Sequence, residues 1–260
     1  MTAALLLDLD DTLVVDEAAQ QGAFDATAAY AARRHPVDAG RLALGARARA
    51  RELWHAAPVT ERCRRIGMSS GEGLWCRFEG DALRAVRAWS AGYRRETWRR
   101  ALGDDGIVDD DLADELAERL VAERRARHEA FADAVPALDA LRGGHRLALL
   151  TNGASCLQRE KLAASGLADR FDAIVVSADL GVGKPDAAVY ERALRALDAE
   201  RAGAVMVGDS LRNDVDGALA AGLRAIWVNR AGRPRPAGRD GLVEIGGLAE
   251  LEAALHEVAR

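Results

Sequence analysis

Residues 4–13 read ALLLDLDDTL. An apolar run from Ala3 to Leu7 meets carboxylates at Asp8, Asp10 and Asp11. Like charges packed this closely destabilise one another unless a positive group holds them or one stays protonated. Read alone, the stretch is equally a buried strand entering a polar turn, with Asp11 or Thr12 capping the next helix. The remainder of the chain decides between the two.

From Ala134 onward, apolar strands alternate with helices. HRLALLT (145–151) is a buried strand ending in Thr151-Asn152-Gly153, and the helix after it closes at Ser165-Gly166. FDAIVVSAD (171–179) is the next strand, and Pro185 starts a helix with Val189, Ala193, Leu194 and Leu197 on one face. AVMVGD (204–209), a helix closed by Gly222, RAIWVN (224–229), a loop over 231–241, the short strand LVEI and a final helix complete the pattern. Continuous hydrophobic strands separated by helices predict an α/β protein with a Rossmann-like, doubly wound parallel sheet. Ligands of such sheets bind at the carboxyl ends of strands near a topological switch point.

Residues 15–133 read differently. Helical patterns run from Asp16 to about Arg34, from Asp38 to Ala57, from SSGEGLW (69–75) through shorter pieces to about Ala101, and from Asp111 to Phe131. β-branched runs are almost absent, so the expectation is a catalytic core of residues 1–14 and 134–260 interrupted by an all-helical domain, 15–133.

Of the 260 residues, 49% are hydrophobic and 30% charged, a soluble, globular composition. The net charge of −5 argues against nucleic acid as a partner. No apolar stretch approaches the roughly 20 residues of a membrane span. Cys63, Cys76 and Cys156 are widely spaced and unpaired by pattern, as expected of reduced thiols in a cytoplasmic protein. Only two of the 36 basic residues are lysines, Lys161 and Lys184. Lys161 reads as a surface residue of an amphipathic helix. Lys184, in GVGKPD, projects from a loop.

The strand ends gather Asp8, Thr151-Asn152, Asp209 and, just beyond a fourth strand, Lys184. Converging carboxylates call for a hard dication with oxygen ligands. Magnesium would take Asp8, Asp209 and a backbone carbonyl, while Asp214 either joins that metal set or caps its helix. Thr151-Asn152-Gly153 offers a hydroxyl, an amide and a backbone N–H, which together make a small anion cradle. Phosphate-loop readings of GVGKPD fail, because Ala178 and Pro185 break the Walker pattern and Asp186 the dinucleotide one.

With DLDDT, LLTNG, GKPD and GDSLRND in that order, and TNGxxxxQxxKL and SxxxGxGKPDxxVY around them, the chain resembles the haloacid dehalogenase superfamily. Within it the chain is similar to phosphatases carrying a helical cap after the first motif. The resemblance implies that Asp8 attacks phosphorus to form an aspartyl-phosphate, and that Asp10 protonates the leaving alcohol and then activates water. It implies that Thr151, Asn152 and Lys184 hold the phosphate oxygens, and that Asp8, the Asp10 carbonyl and Asp209 bind Mg2+ with Asp214 in support. Family dehalogenases lack an acid/base two residues after the nucleophile, where this chain has Asp10. Phosphonoacetaldehyde hydrolases use a cap lysine, and residues 15–133 contain none. A sugar phosphomutase shares all four motifs and stays an alternative; an idle binding or regulatory relative is a further one, against which the intact acidic and lysine set argues.

The expected substrate is therefore a small phosphorylated metabolite such as a sugar, cyclitol or nucleotide monophosphate. Fourteen arginines against six acidic residues between Arg41 and Arg100 would suit an anionic or polyhydroxylated molecule. Arg47, Arg51, Trp54 and His55, on one predicted helix, are the candidate specificity residues. Trp54, Trp75, Trp89 and Trp98 are expected in the core of the helical domain rather than as substrate platforms, with room for one to do both.

Overall fold

The computed structural model describes residues 4–239 and 241–258. Ala3, where the first strand was expected to begin, lies outside them, as do Asp240 of the 231–241 loop and the extreme ends of the expected core domain. The chain divides into two compact units, Met1–Val15 with Glu129–Arg260, and Asp16–His128.

The first unit carries the strands β1 (Ala4–Leu7), β2 (Arg146–Thr151), β3 (Ala173–Val176), β4 (Ala204–Gly208), β5 (Arg224–Val228) and β6 (Val243–Ile245). Among the described residues they form one six-stranded sheet in the order β3-β2-β1-β4-β5-β6, with every pair parallel. Successive residues of a strand point to opposite faces, so apolar runs bury both. Leu5, Leu7, Leu147, Leu149, Val205 and Val207 pack on one face with Leu138, Leu141 and Leu162. Leu6, Ala148, Leu150, Met206 and Trp227 pack on the other with Val189, Tyr190, Ala193 and Leu194. Each fully buried Leu or Val contributes about 1.5–3 kcal/mol relative to exposure.

Register decides what meets at the strand ends. Leu7 lies opposite Leu149 on β2 and opposite Val207 on β4, and the Asp8 N–H continues the ladder to the Val207 carbonyl (3.0 Å). Strand order reverses direction between β1 and β4, so Asp8 and Asp209 stand at the switch point where α/β sheets bind ligands. Asp11 adopts φ +54° in a tight turn, with its N–H on the Val14 carbonyl (2.8 Å). It is a turn residue, and no helix begins there.

Helices of this unit are α7 (Ala134–Leu141), α8 (Ser155–Ala164), α9 (Ala187–Ala196), α10 (Gly217–Ala220) and α11 (Leu251–Val258), preceded in the second unit by α1 (Glu17–Ala32), α2 (Ala39–Ala56), α3 (Glu61–Arg65), α4 (Ser70–Trp75), α5 (Arg84–Asp104) and α6 (Asp110–Arg125). Three boundaries differ from the sequence expectation. The long helix ends at Arg125, because residues 129–131 instead pair extended with 13–15, through Val15 N–H to Glu129 O and Phe131 N–H to Leu13 O (2.9 Å each). Pro185 does not start α9; Asp186 caps it by accepting the Ala188 N–H (2.9 Å). Asp16 makes no cap bond and instead pairs with the buried Arg124.

In the second unit α1, α2, α5 and α6 pack around aromatic side chains. Trp54, Trp75 and Trp98 are buried, while Trp89 is half-buried and stacks on Tyr93 at 4.6 Å. Ser69 and Glu72 form a capping box at the start of α4. No helix of the described residues is long and apolar enough to cross a membrane.

Candidate active site

Lys184 is the centre of the constellation at the carboxyl edge of the sheet. Its ammonium lies 2.5 Å from Asp8 Oδ1 and 2.7 Å from Asp214 Oδ1, and donates a third bond to the Leu150 carbonyl (2.9 Å). Three donors meet three acceptors, which is what a buried ammonium requires. Burial opposes its charge, but the Asp214 and Asp8 carboxylates outweigh that and hold it above the ordinary lysine range. The loop bearing it is fixed by Asn152, whose amide donates to the Lys184 carbonyl (3.0 Å) and whose oxygen accepts the Lys184 N–H (2.8 Å). Asn152 thus holds the lysine's backbone.

The carboxylates form a second layer of constraint. One oxygen each of Asp8, Asp209 and Asp214 can be chosen within 4.8 Å of one another. Burial, partly offset by Lys184, raises the Asp8 carboxyl to about 6. Burial and the charges of Asp8, Asp214 and Asp11 raise Asp209 to about 7. Such mutual destabilisation is what a divalent cation relieves, and the all-oxygen donor set fits magnesium. Asp214 is already engaged, with Oδ1 on Lys184 and Oδ2 accepting the Ser210 N–H (2.9 Å). It sits in a π-helical turn, Leu211–Asp216, a distortion frequent at functional sites. A Cβ at Gly208 would lie 2.4 Å from the Asp214 carboxyl carbon, so only glycine lets β4 pass this close.

Thr12, one of the residues expected to cap a helix, bridges β1 and β4 instead. Its hydroxyl faces Asp8 Oδ2 (3.4 Å) and accepts the Asp209 N–H (3.0 Å). The Asp209 carbonyl accepts the Trp227 indole N–H (2.9 Å) and the Arg233 guanidinium (2.9 Å), which fixes the loop on its outer side.

Asp10 is partly exposed and held from α8. Lys161 Nζ lies 2.9 Å from Asp10 Oδ1, and Gln158 Nε2 lies 3.0 Å from Oδ2. Lys161 is only 1% exposed, so the reading of it as a surface lysine is wrong: the helix turns it inward toward an acidic loop its own sequence neighbourhood does not reveal. The sequence signals were its rarity and its place, with Gln158, in TNGxxxxQxxKL. Thr151 is buried at the end of β2, and its hydroxyl accepts from Gln158 Nε2 (2.9 Å). The Gly153 N–H, expected in the anion cradle, donates instead to Ser177 Oγ (2.9 Å).

The four candidates on α2 separate. Trp54 is 1% exposed, with its ring 5.8 Å from that of Tyr93 and 6.1 Å from that of Trp89. It is core, because the large indole gains more from burial than from presenting a face. Arg47 is half-buried and pairs with Glu17 (2.5 Å), whereas Arg51 and His55 are exposed.

Comparison with known proteins gives one consistent answer. The family model described as haloacid dehalogenase-like hydrolase matches residues 2–222. A phosphoserine phosphatase of Thermus thermophilus is 38% identical over 254 residues, covering 95% of this chain and 96% of that protein. A pyrimidine 5'-nucleotidase of Escherichia coli is 36% identical over 184 residues, covering 70% and 77%. The solved structure of a 2-haloacid dehalogenase from Pseudomonas syringae is 30% identical, with a TM-score of 0.61 and coverage of 98% and 99%.

Proposed function

Since this chain belongs to the haloacid dehalogenase-like hydrolases, we propose that it is a magnesium-dependent phosphatase of small phosphate monoesters, acting through an aspartyl-phosphate on Asp8. The observation that carries phosphatase rather than dehalogenase chemistry is Asp10, a second carboxyl group two residues after the nucleophile, held by donors on both of its oxygens. Dehalogenation releases a halide that needs no proton; an alkoxide leaving group does.

In the first half-reaction an Asp8 carboxylate oxygen bonds to phosphorus and the bond from phosphorus to the ester oxygen breaks. The departing oxygen takes the proton of the Asp10 carboxyl group and leaves as the alcohol. In the second, a water oxygen bonds to phosphorus while its proton passes to Asp10. The bond from phosphorus to Asp8 then breaks, releasing inorganic phosphate and restoring both carboxyl groups. Lys184 steadies Asp8 and neutralises charge on the phosphate oxygens, to which the Thr151 hydroxyl donates a hydrogen bond; Asn152 serves this by fixing the Lys184 backbone. Asp8, Asp209 and the Asp10 carbonyl would hold magnesium, with Asp214 supporting Lys184. When bound, the ion supplies positive charge against the charge developing on the phosphoryl oxygens.

Because one relative is named a phosphoserine phosphatase and another a pyrimidine 5'-nucleotidase, the substrate panel we propose begins with O-phosphoserine and pyrimidine nucleoside monophosphates, beside sugar and cyclitol phosphates. Arg47, Arg51 and His55 are the exposed or half-buried candidates for reading the non-phosphate part. The test is phosphate release across that panel, with p-nitrophenyl phosphate as a generic ester. Release that requires magnesium and vanishes in Asp8→Asn supports the proposal; magnesium-independent release, or full activity in that variant, overturns it.

A further inference from the structure

We propose that Lys161 and Gln158 are positioning residues for Asp10, an inference that rests on the acid/base reading of Asp10 given above. The two residues stand three apart on α8 and so share a face. Each grips a different oxygen of the same carboxylate, at 2.9 Å from Lys161 and 3.0 Å from Gln158. Donors on both oxygens fix the plane of the carboxyl group as well as its direction.

Burial makes the pair worth explaining. Lys161 and Gln158 are each 1% exposed, and an ammonium is costly to remove from water without a function or a partner. Lys161 is one of two lysines in the chain. The other, Lys184, holds Asp8; the two ammoniums therefore serve two of the three aspartates of the same short stretch. The clamp also joins the acid/base to the phosphate end of β2, since Gln158 Nε2 lies 2.9 Å from the Thr151 hydroxyl. A Cβ at Gly153 would approach the Gln158 side chain to 3.1 Å, so the loop leaving β2 is shaped around this amide. A carboxyl group so held is presented to the leaving oxygen at a set distance from the phosphate, and small misplacement of a reacting group is expensive in rate.

A misplaced proton donor has a signature that a merely structural defect lacks: its cost grows with the basicity of the leaving group. The experiment measures kcat/KM, which reports the phosphoryl-transfer half, for substituted phenyl phosphates from 4-nitrophenyl to 4-methylphenyl. Lys161→Met is expected to lose about 10²-fold on the 4-methylphenyl ester and roughly ten-fold less than that on the 4-nitrophenyl ester. Gln158→Leu should show the same tilt more weakly, and Lys161→Arg should recover part of it. Thermal unfolding of each variant is followed alongside, and Lys161→Gln replaces Lys161→Met if the latter does not fold. An equal loss across the series, or none, overturns the proposal. Asp10→Asn separates the two levels: if it too shows no tilt, the acid/base reading fails; if it tilts and the α8 variants do not, only the positioning role fails.

Discussion

The ammonium of Lys184 lies 2.5 Å from Asp8, a residue 176 positions away in sequence. This ion pair is almost dry, with the lysine side chain 3% and the aspartate side chain 10% exposed. Breaking a buried pair leaves an uncompensated charge, which costs about 3–5 kcal/mol. Lys184→Met is therefore expected to lower thermal stability by that order and to reduce phosphate release by at least about 10³-fold. Lys184→Arg should not restore activity, because a planar guanidinium cannot direct three bonds to Asp8, Asp214 and the Leu150 carbonyl from the same point. Calorimetry and steady-state kinetics on the two variants check this.

A second expectation concerns Gly208. Its replacement by alanine would put a methyl group 2.4 Å from the Asp214 carboxyl carbon, so Asp214 must leave either Lys184 or the Ser210 N–H. Overpacking of this kind costs about 1–3 kcal/mol. Activity should fall more steeply than stability, since the displaced carboxylate is one of Lys184's two anionic partners. Comparing the melting temperature with kcat in Gly208→Ala tests the order of the two effects.

In the metal-free protein Asp8 and Asp209 contribute a pH dependence of definite sign. Burial holds Asp8 at about 6 and Asp209 at about 7, above the ordinary carboxylate range near 4. At these two groups the folded protein thus binds more protons than the unfolded chain. The contribution of these two groups is fully present below about pH 4 and is lost as pH rises through 6 to 7. Magnesium competes with those same protons, so its stabilising effect should grow from pH 5 to pH 8, reaching about 2.7 kcal/mol when the ion is at a hundred times its Kd. Melting temperatures in chelator and in magnesium across that range give the answer; a metal effect that shrinks as pH rises contradicts it.

Much of this was legible in the sequence, and for identifiable reasons. Apolar runs ending in Asp8, Thr151 and Asp209 announced a parallel sheet, because strands covered on both faces need no alternation. Lys184 stood out beside a proline in a chain whose other cations are nearly all arginine. Lys161 carried the same rarity, but a lysine inside an amphipathic helix gives no sign of which way it turns until β1 is placed beside β2. Trp54 carried two readings, core residue and substrate contact beside Arg47 and Arg51; its packing on α4 and α5 bears out the core reading. The Gly153 N–H was diverted by Ser177, a partner 24 residues away. Local pattern identified the elements; contacts across the sheet determined which polar groups remained free.

The central claim is that Asp8 itself becomes phosphorylated. Asp10→Asn, mixed with magnesium and 4-nitrophenyl phosphate and quenched in acid, should accumulate the intermediate, because that leaving group departs without a proton while the group that activates water is gone. Peptide mass spectrometry is predicted to find a phosphoryl group on the fragment carrying Asp8, absent when Asp8→Asn is combined with Asp10→Asn. Phosphate release without any such adduct, or an adduct on a different residue, would contradict the account.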